Sequence, residues 1–124
     1  VGGADVLAAM AYMQGLGRML GAYFSERQVY LTPTLAALPP LLGELTSPAE
    51  RPLEGMFRAA AFAPFTALAN GTGVPAMSAP LYWSASGLPV GVQAMAGYGD
   101  EATLFRLAGQ WEQARPWADR RPGL

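Results

Sequence analysis

Two β-prone segments joined by a short turn limit the folds that this chain can adopt. The segments cover residues 76–81 and 90–96, and Gly87 and Pro89 mark the turn between them. Glycine is frequent in such turns because it tolerates positive φ angles, and proline because it fixes φ. The sequence therefore predicts two adjacent strands at the centre of the fold.

Helical segments are predicted around this pair of strands. Residues 6–24 carry apolar side chains at spacings of three and four, and the opposite side of the same segment is also largely apolar. Such a helix should be covered on more than one side. A second helix is predicted over residues 53–63, and a third runs from Asp100 to Arg115, where Pro116 ends it.

A further strand is predicted near the start of the chain. The β-prone run from Val29 to Leu31 precedes Pro33, which indicates a buried strand leading into an irregular, proline-rich loop. The predicted order is helix, strand, loop, helix, strand, strand, helix. Alternation of this kind is typical of layered folds, so we expect the α/β or α+β class.

The composition suggests that other protein covers part of the surface. Charged residues make up 14% of the 124 residues, against about 25% in typical domains. The hydrophobic fraction is 52%. A small domain has much surface for its volume, so we expect its apolar faces to dock on another chain segment or on a second copy in a homo-oligomer.

Several reactive side chains are missing from the sequence. It contains no His and no Cys, and all 8 basic residues are Arg. The chain therefore lacks the commonest general bases and the thiol and amine nucleophiles. We expect no metal or other cofactor. Proteins that bind nucleic acid usually carry an excess of positive charge, whereas this chain has a net charge of −1, so we expect no nucleic-acid partner. Gln14 and Arg18 interrupt the apolar run before Phe24, so we expect a soluble, cytoplasmic protein without a membrane span.

Some polar residues allow both a structural and a functional interpretation. Ser78, Ser84 and Ser86 could be nucleophiles only beside a base, so we interpret them as structural. Glu50 and Glu54 could form an acid–base pair. We favour the simpler interpretation, in which negative charge stabilises the start of a helix.

Three motifs occupy the second half of the chain. They are an Asn-x-x-Gly-x-Pro-Ala segment at 70–76, Gly-Leu-Pro-Val-Gly-Val-Gln at 87–93, and a last helix opened by Gly-Asp-Glu at 99–101. Together they resemble the C-terminal region of the amidase-signature family. The segment VYLTPTLAALPP at 29–40 is similar to the family's preceding strand, so the resemblance spans nearly the whole chain. The methionine-rich first helix and PFTALANGTG are most similar to the branch of 6-aminohexanoate cyclic-dimer hydrolases.

The resemblance implies an α/β/α fold with a large mixed central sheet. It also implies a hydrolase that cleaves amide bonds with a Ser, cis-Ser, Lys triad and a Gly/Ser-rich loop that binds the oxyanion. Neither a Lys nor such a loop occurs here, so we assign no catalytic residue and expect the triad in an N-terminal part outside this sequence. Residues 1–124 would then be the C-terminal part of an amidase domain that completes the sheet and part of the pocket for an amide substrate.

The resemblance also points to the segment before the NGTG sequence as a wall of the acyl-group pocket. The candidate substrate-binding residues are Phe62, Ala63, Phe65 and Asn70. Ordinary core packing is the favoured interpretation of the phenylalanines, because buried Phe is common, and bracing of a turn explains Asn70 equally well. Two other classes stay open: a binding module, or a structural or protein-interaction fragment without a ligand site of its own.

Overall fold

The computed structural model describes residues 2–122 as four helices and three strands. The helices are α1 (Gly3–Glu26), α2 (Glu54–Phe62), α3 (Thr66–Thr72) and α4 (Glu101–Ala114), and the strands are β1 (Tyr30–Pro33), β2 (Ala76–Trp83) and β3 (Pro89–Met95). The two adjacent strands and the three helices predicted from the sequence are all present. Helix α3 is an additional element, in a segment where the NGTG sequence is typical of a turn.

The strands form one antiparallel sheet in the order β1-β3-β2. Gln93 in the central strand lies opposite Thr32 of β1 on one side and Ser78 of β2 on the other. The α/β class is confirmed. The parallel neighbours of a mixed sheet are not among these strands, so they would have to come from protein outside this chain.

The turn between β2 and β3 is fixed by Ser84. Its backbone N–H donates to the carbonyl of Leu88 at 2.9 Å, and its side-chain oxygen accepts the Leu88 N–H at 3.0 Å. Gly87 has a φ of 77°, a left-handed conformation that favours glycine. The turn chemistry predicted from the sequence is therefore confirmed.

Helices lie on both faces of the sheet. On one face, the buried side chain of Met95 packs with Ala69 and Val74, and Leu20 and Phe24 of α1 lie against them. The other face is covered by α4, where Ala94, Ala96 and Leu104 form a second buried cluster, joined by Val29, Met77, Leu107 and Trp111. This helix–sheet–helix arrangement is the three-layer α/β/α architecture implied by the resemblance.

Helix α1 leaves most of its apolar surface uncovered. Its N-terminus is capped by Asp5, whose carboxylate accepts the backbone N–H of Gly2 at 2.8 Å. None of its side chains is buried, and Leu7 is 68% exposed. The cover expected for this helix is therefore not supplied by residues 2–122. No helix in that part of the chain is long and apolar enough to cross a membrane.

Strand β1 differs from the prediction of a buried strand. It begins at Tyr30 and lies at the edge of the sheet, with Leu31 55% exposed. The prediction of burial was wrong for this chain, because Leu31 lies opposite Ala94 on the sheet face where α4 packs, and this packing leaves Leu31 more than half exposed. The proline-rich loop after it is irregular, as predicted.

Candidate functional site

The predicted wall segment forms a tight junction between helices α2 and α3. Helix α2 ends at Phe62, and Ala63 leaves the helix with φ −118° and ψ 53°. Pro64 has no backbone N–H and disfavours a helical residue before it, which explains why α2 ends there. Phe65 then serves as the N-cap of α3, so only Ala63, Pro64 and Phe65 separate the two helices.

The carbonyl groups of this junction are held by donors from three different places. The carbonyl of Phe62 accepts the backbone N–H of Ala36 at 3.0 Å. The carbonyl of Ala63 accepts the hydroxyl of Thr66 at 3.3 Å, and that of Phe65 accepts the side-chain amide of Gln93 at 3.3 Å. The junction is thus tied to the loop after β1, to α3 and to the central strand.

Gln93 closes the Gly-Leu-Pro-Val-Gly-Val-Gln motif, and sequence reasoning assigns it no role. It is 4% exposed and is the buried polar residue in the centre of the sheet. Its amide nitrogen donates both to Phe65 O and to the hydroxyl of Thr32, the latter at 3.2 Å. A sequence signal was present, because a polar side chain in the middle of a central strand requires a buried hydrogen-bond partner.

The structure brings three of the four candidate residues together. Phe62, Ala63 and Phe65 lie at the junction: Phe62 is the last residue of α2, and Ala63 and Phe65 flank Pro64. Asn70 is exposed and lies further along, in the last turn of α3. The interpretation of Asn70 as a turn residue was wrong, because the chain stays helical until Gly73, which ends α3 with a φ of 78°.

Recesses of the described surface lie beside these residues rather than between them. One of about 220 Å³ is lined by residues 35–39 and 89–91, next to the loop that holds Phe62. Another of about 540 Å³ lies between α1 and the end of α3, where Arg18, Gly71 and Tyr98 are among the lining residues. Neither recess is lined by Phe62, Ala63, Phe65 or Asn70.

The hydroxyl group of each of the three serines lies within hydrogen-bond distance of another hydroxyl group. The hydroxyls of Ser78 and Thr34 are 2.6 Å apart, and those of Ser84 and Ser86 are 2.9 Å apart. The sequence contains no Lys or His that could act as their base. These contacts agree with the structural interpretation of the serines.

The acidic residues likewise form no catalytic pair. Glu54 makes ion pairs with Arg51 and Arg58, and Glu50 takes no part in them. Glu54 lies in the first turn of α2, which agrees with the interpretation that negative charge stabilises the start of this helix. No group of three or more acidic residues that could hold a metal ion occurs within residues 2–122.

Comparison with known proteins identifies the family. The family model described as Amidase matches residues 3–105. The chain belongs to the amidase family. It is 42% identical over 110 residues to AmiC of Mycobacterium leprae, a protein named as a proposed amidase, and this match covers 89% of the chain. It is 41% identical over 101 aligned residues to the 6-aminohexanoate-cyclic-dimer hydrolase of Paenarthrobacter ureafaciens, and this match covers 76% of the chain.

Two solved structures share the fold of this chain. The structure of 6-aminohexanoate cyclic dimer hydrolase superposes with a TM-score of 0.85 over 98% of the chain, at 31% identity. The glutamyl-tRNA(Gln) amidotransferase structure from Thermotoga maritima superposes with a TM-score of 0.72 over 94% of the chain, at 29% identity. The predicted amidase resemblance is therefore confirmed, including its similarity to the cyclic-dimer hydrolases.

The chain is much shorter than these relatives. Its match spans 23% of the M. leprae protein and 20% of the P. ureafaciens protein. It likewise covers 26% of the superposed cyclic-dimer hydrolase chain and 24% of the amidotransferase chain. The chain thus corresponds to no more than 26% of the full length of any of these four proteins.

Proposed function

We propose that this chain is the C-terminal part of an amide hydrolase whose Ser, cis-Ser, Lys triad lies in protein outside this sequence. The observation that carries the proposal is the structural match to 6-aminohexanoate cyclic dimer hydrolase over 98% of the chain. The uncovered apolar surface of α1 supports it, because a helix of this kind needs a protein partner. The chain matches only 23–26% of the length of its relatives. The partner that best accounts for this short match is the rest of the same protein.

Labelling with a small fluorophosphonate tests this proposal. The protein encoded by the complete reading frame should incorporate one equivalent of the reagent and hydrolyse simple amides. The isolated chain should do neither, because no Lys is available to activate a serine. Stoichiometric labelling of Ser78, Ser84 or Ser86 in the isolated chain would contradict the proposal. A complete protein that is neither labelled nor active would favour the structural or interaction fragment instead.

Within that enzyme, we assign the α2–α3 junction to the wall of the pocket for the acyl group of an amide substrate. Phe62 and Phe65 offer aromatic surface, and the small side chain of Ala63, which lies between them in the sequence, would leave room for a substrate in the complete protein. Asn70 is exposed at the end of α3, where its amide can contact a substrate or another part of the protein. The segment selects substrates and takes no part in bond cleavage.

The substitution Ala63→Trp in the complete protein tests the wall assignment. The indole should fill the volume between the phenylalanines and disfavour bulky acyl groups by about tenfold or more relative to an acetyl group. Labelling of the nucleophile by a small fluorophosphonate should persist. Uniform loss of activity on all amides together with a lower melting temperature would instead assign Ala63 to the core, where overpacking costs about 1–3 kcal/mol.

A cytoplasmic location and a homo-oligomeric state stay predictions of the sequence. Cell fractionation and sedimentation of the complete protein test them.

A further inference from the structure

The side-chain amide of Gln93 donates both of its hydrogens to acceptors inside the fold. One goes to the hydroxyl of Thr32 at 3.2 Å and the other to the carbonyl of Phe65 at 3.3 Å. A carbonyl oxygen can only accept, so the amide nitrogen has to face Phe65. The residue is 4% exposed, and water therefore cannot easily replace either bond.

Gln93 connects the junction to the most firmly held strand of the sheet. The donor to Phe62 comes from Ala36 in an irregular loop, and the donor to Ala63 comes from Thr66 within α3 itself. Gln93 belongs to β3, which pairs with strands on both sides. Its bond to Phe65 thus ties the junction directly to the sheet, whereas the other two bonds join it to the loop after β1 and to α3.

We propose that Gln93 is a positioning residue that tunes acyl-group selection by holding the α2–α3 junction against the central strand. The inference rests on the proposed function, in which this junction is a wall of the acyl pocket. Without the amide donor, the carbonyl of Phe65 loses its partner and the junction moves relative to the sheet. Small displacements of a positioned wall change rates on large substrates well before they change the chemistry of the nucleophile.

The test uses the complete protein and the near-isosteric substitution Gln93→Met, which keeps the side-chain length and removes the donor. Acetyl and hexanoyl p-nitroanilides serve as a short and a long acyl substrate, and a small fluorophosphonate reports the reactivity of the nucleophile. We expect the hexanoyl-to-acetyl ratio of kcat/KM to change by about fivefold or more, chiefly through KM. The rate of fluorophosphonate labelling should stay within about twofold of the parent protein.

Thr32→Val is the matched control, because it removes the other acceptor of the same amide and leaves the Phe65 bond in place. It should lower the melting temperature without changing the acyl ratio. If Gln93→Met does not fold, Gln93→Asn replaces it; its shorter side chain keeps an amide but withdraws the donor from Phe65. An acyl ratio unchanged in the folded Gln93 variant, or changed equally by Thr32→Val, overturns the inference.

Combination with Ala63→Trp separates this inference from the proposed function. If both residues act through the wall, their effects on the acyl ratio should be non-additive. A ratio that responds to Ala63→Trp but not to Gln93→Met keeps the wall and removes the role of Gln93. A ratio that responds to neither, or a parent protein inactive on both amides, overturns the wall and the role of Gln93 together.

Discussion

Gly55, the second residue of α2, is a position where a single methyl group should disrupt the local packing. A Cβ built there would overlap the carbonyl oxygen of Leu45 and come within 2.8 Å of the hydroxyl oxygen of Ser47. The same hydroxyl accepts the backbone N–H of Gly55 at 2.8 Å. Since Leu45 contributes a backbone atom, the loop cannot give way by a simple side-chain rotation.

The effect of Gly55→Ala is a balance of three terms. Overpacking costs about 1–3 kcal/mol, and loss of the bond to Ser47 costs about 0.5–1.5 kcal/mol. Replacing glycine by alanine in a helix returns about 0.5–1 kcal/mol. The net result should be destabilisation of the complete protein by about 0.5–4 kcal/mol.

Gly109→Ala is the matched control, because nothing lies within 4 Å of a Cβ at that position in α4. Here only the helix propensity changes, so the same substitution should stabilise the protein by about 0.5–1 kcal/mol. Thermal unfolding measures both effects. A glutamyl endopeptidase adds a local measurement, since Glu44 and Glu50 are exposed in the loop and should be cleaved faster in the Gly55 variant.

The two variants should therefore shift the melting temperature in opposite directions. Equal or higher stability of Gly55→Ala, with cleavage after Glu44 and Glu50 unchanged, would refute the packing of the loop on α2. A shift in the same direction for both variants would show that helix propensity, rather than steric overlap, decides the outcome at Gly55.

Two further predictions concern the first and last helices. Asp100→Ala should lower the stability of the complete protein by about 1 kcal/mol in thermal unfolding. The reason is that the Asp100 carboxylate accepts hydrogen bonds from the backbone N–H and the hydroxyl of Thr103. Asp100→Asn should retain most of that stability. The isolated chain should self-associate through the exposed apolar surface of α1, and Leu7→Glu with Met10→Glu should weaken this in sedimentation. A monomer at roughly 100 µM that binds no hydrophobic dye would contradict the second prediction.

The elements predicted correctly are those whose signals are local. Strands β2 and β3 are separated by a turn that contains a glycine at positive φ, and that chemistry is visible in the sequence. Helix α4 begins directly after Asp100 and ends before the Arg115-Pro116 pair, so both of its ends carry known signals. The order of these elements predicts a layered fold of the α/β or α+β class without knowledge of any long-range contact, and the family resemblance then favours α/β.

Helix α3 was missed because it is too short to show a period. Seven residues make about two turns, and the sequence within them contains glycine and asparagine, which are typical of turns. The deciding residue is Gly73, whose left-handed conformation places the turn after the helix rather than at Asn70. The exposure of β1 could not be predicted either, because burial of its side chains depends on what packs on the two faces of the sheet, and no local pattern specifies that.

The family resemblance predicted where the candidate site lies in the sequence. It did not predict the hydrogen bonds that hold the α2–α3 junction in place. Gln93 is 28 residues from Phe65 and 61 from Thr32, so no local pattern indicates either bond. The pattern of β3 does predict that position 93 shares one face with Met95, because side chains alternate along a strand. A buried amide on that face requires acceptors from whatever packs there. A glutamine in a central strand therefore predicts that a neighbouring segment supplies carbonyl groups without backbone partners. A helix junction interrupted by proline is such a segment, because proline has no backbone N–H and ends the hydrogen-bonding pattern of the helix.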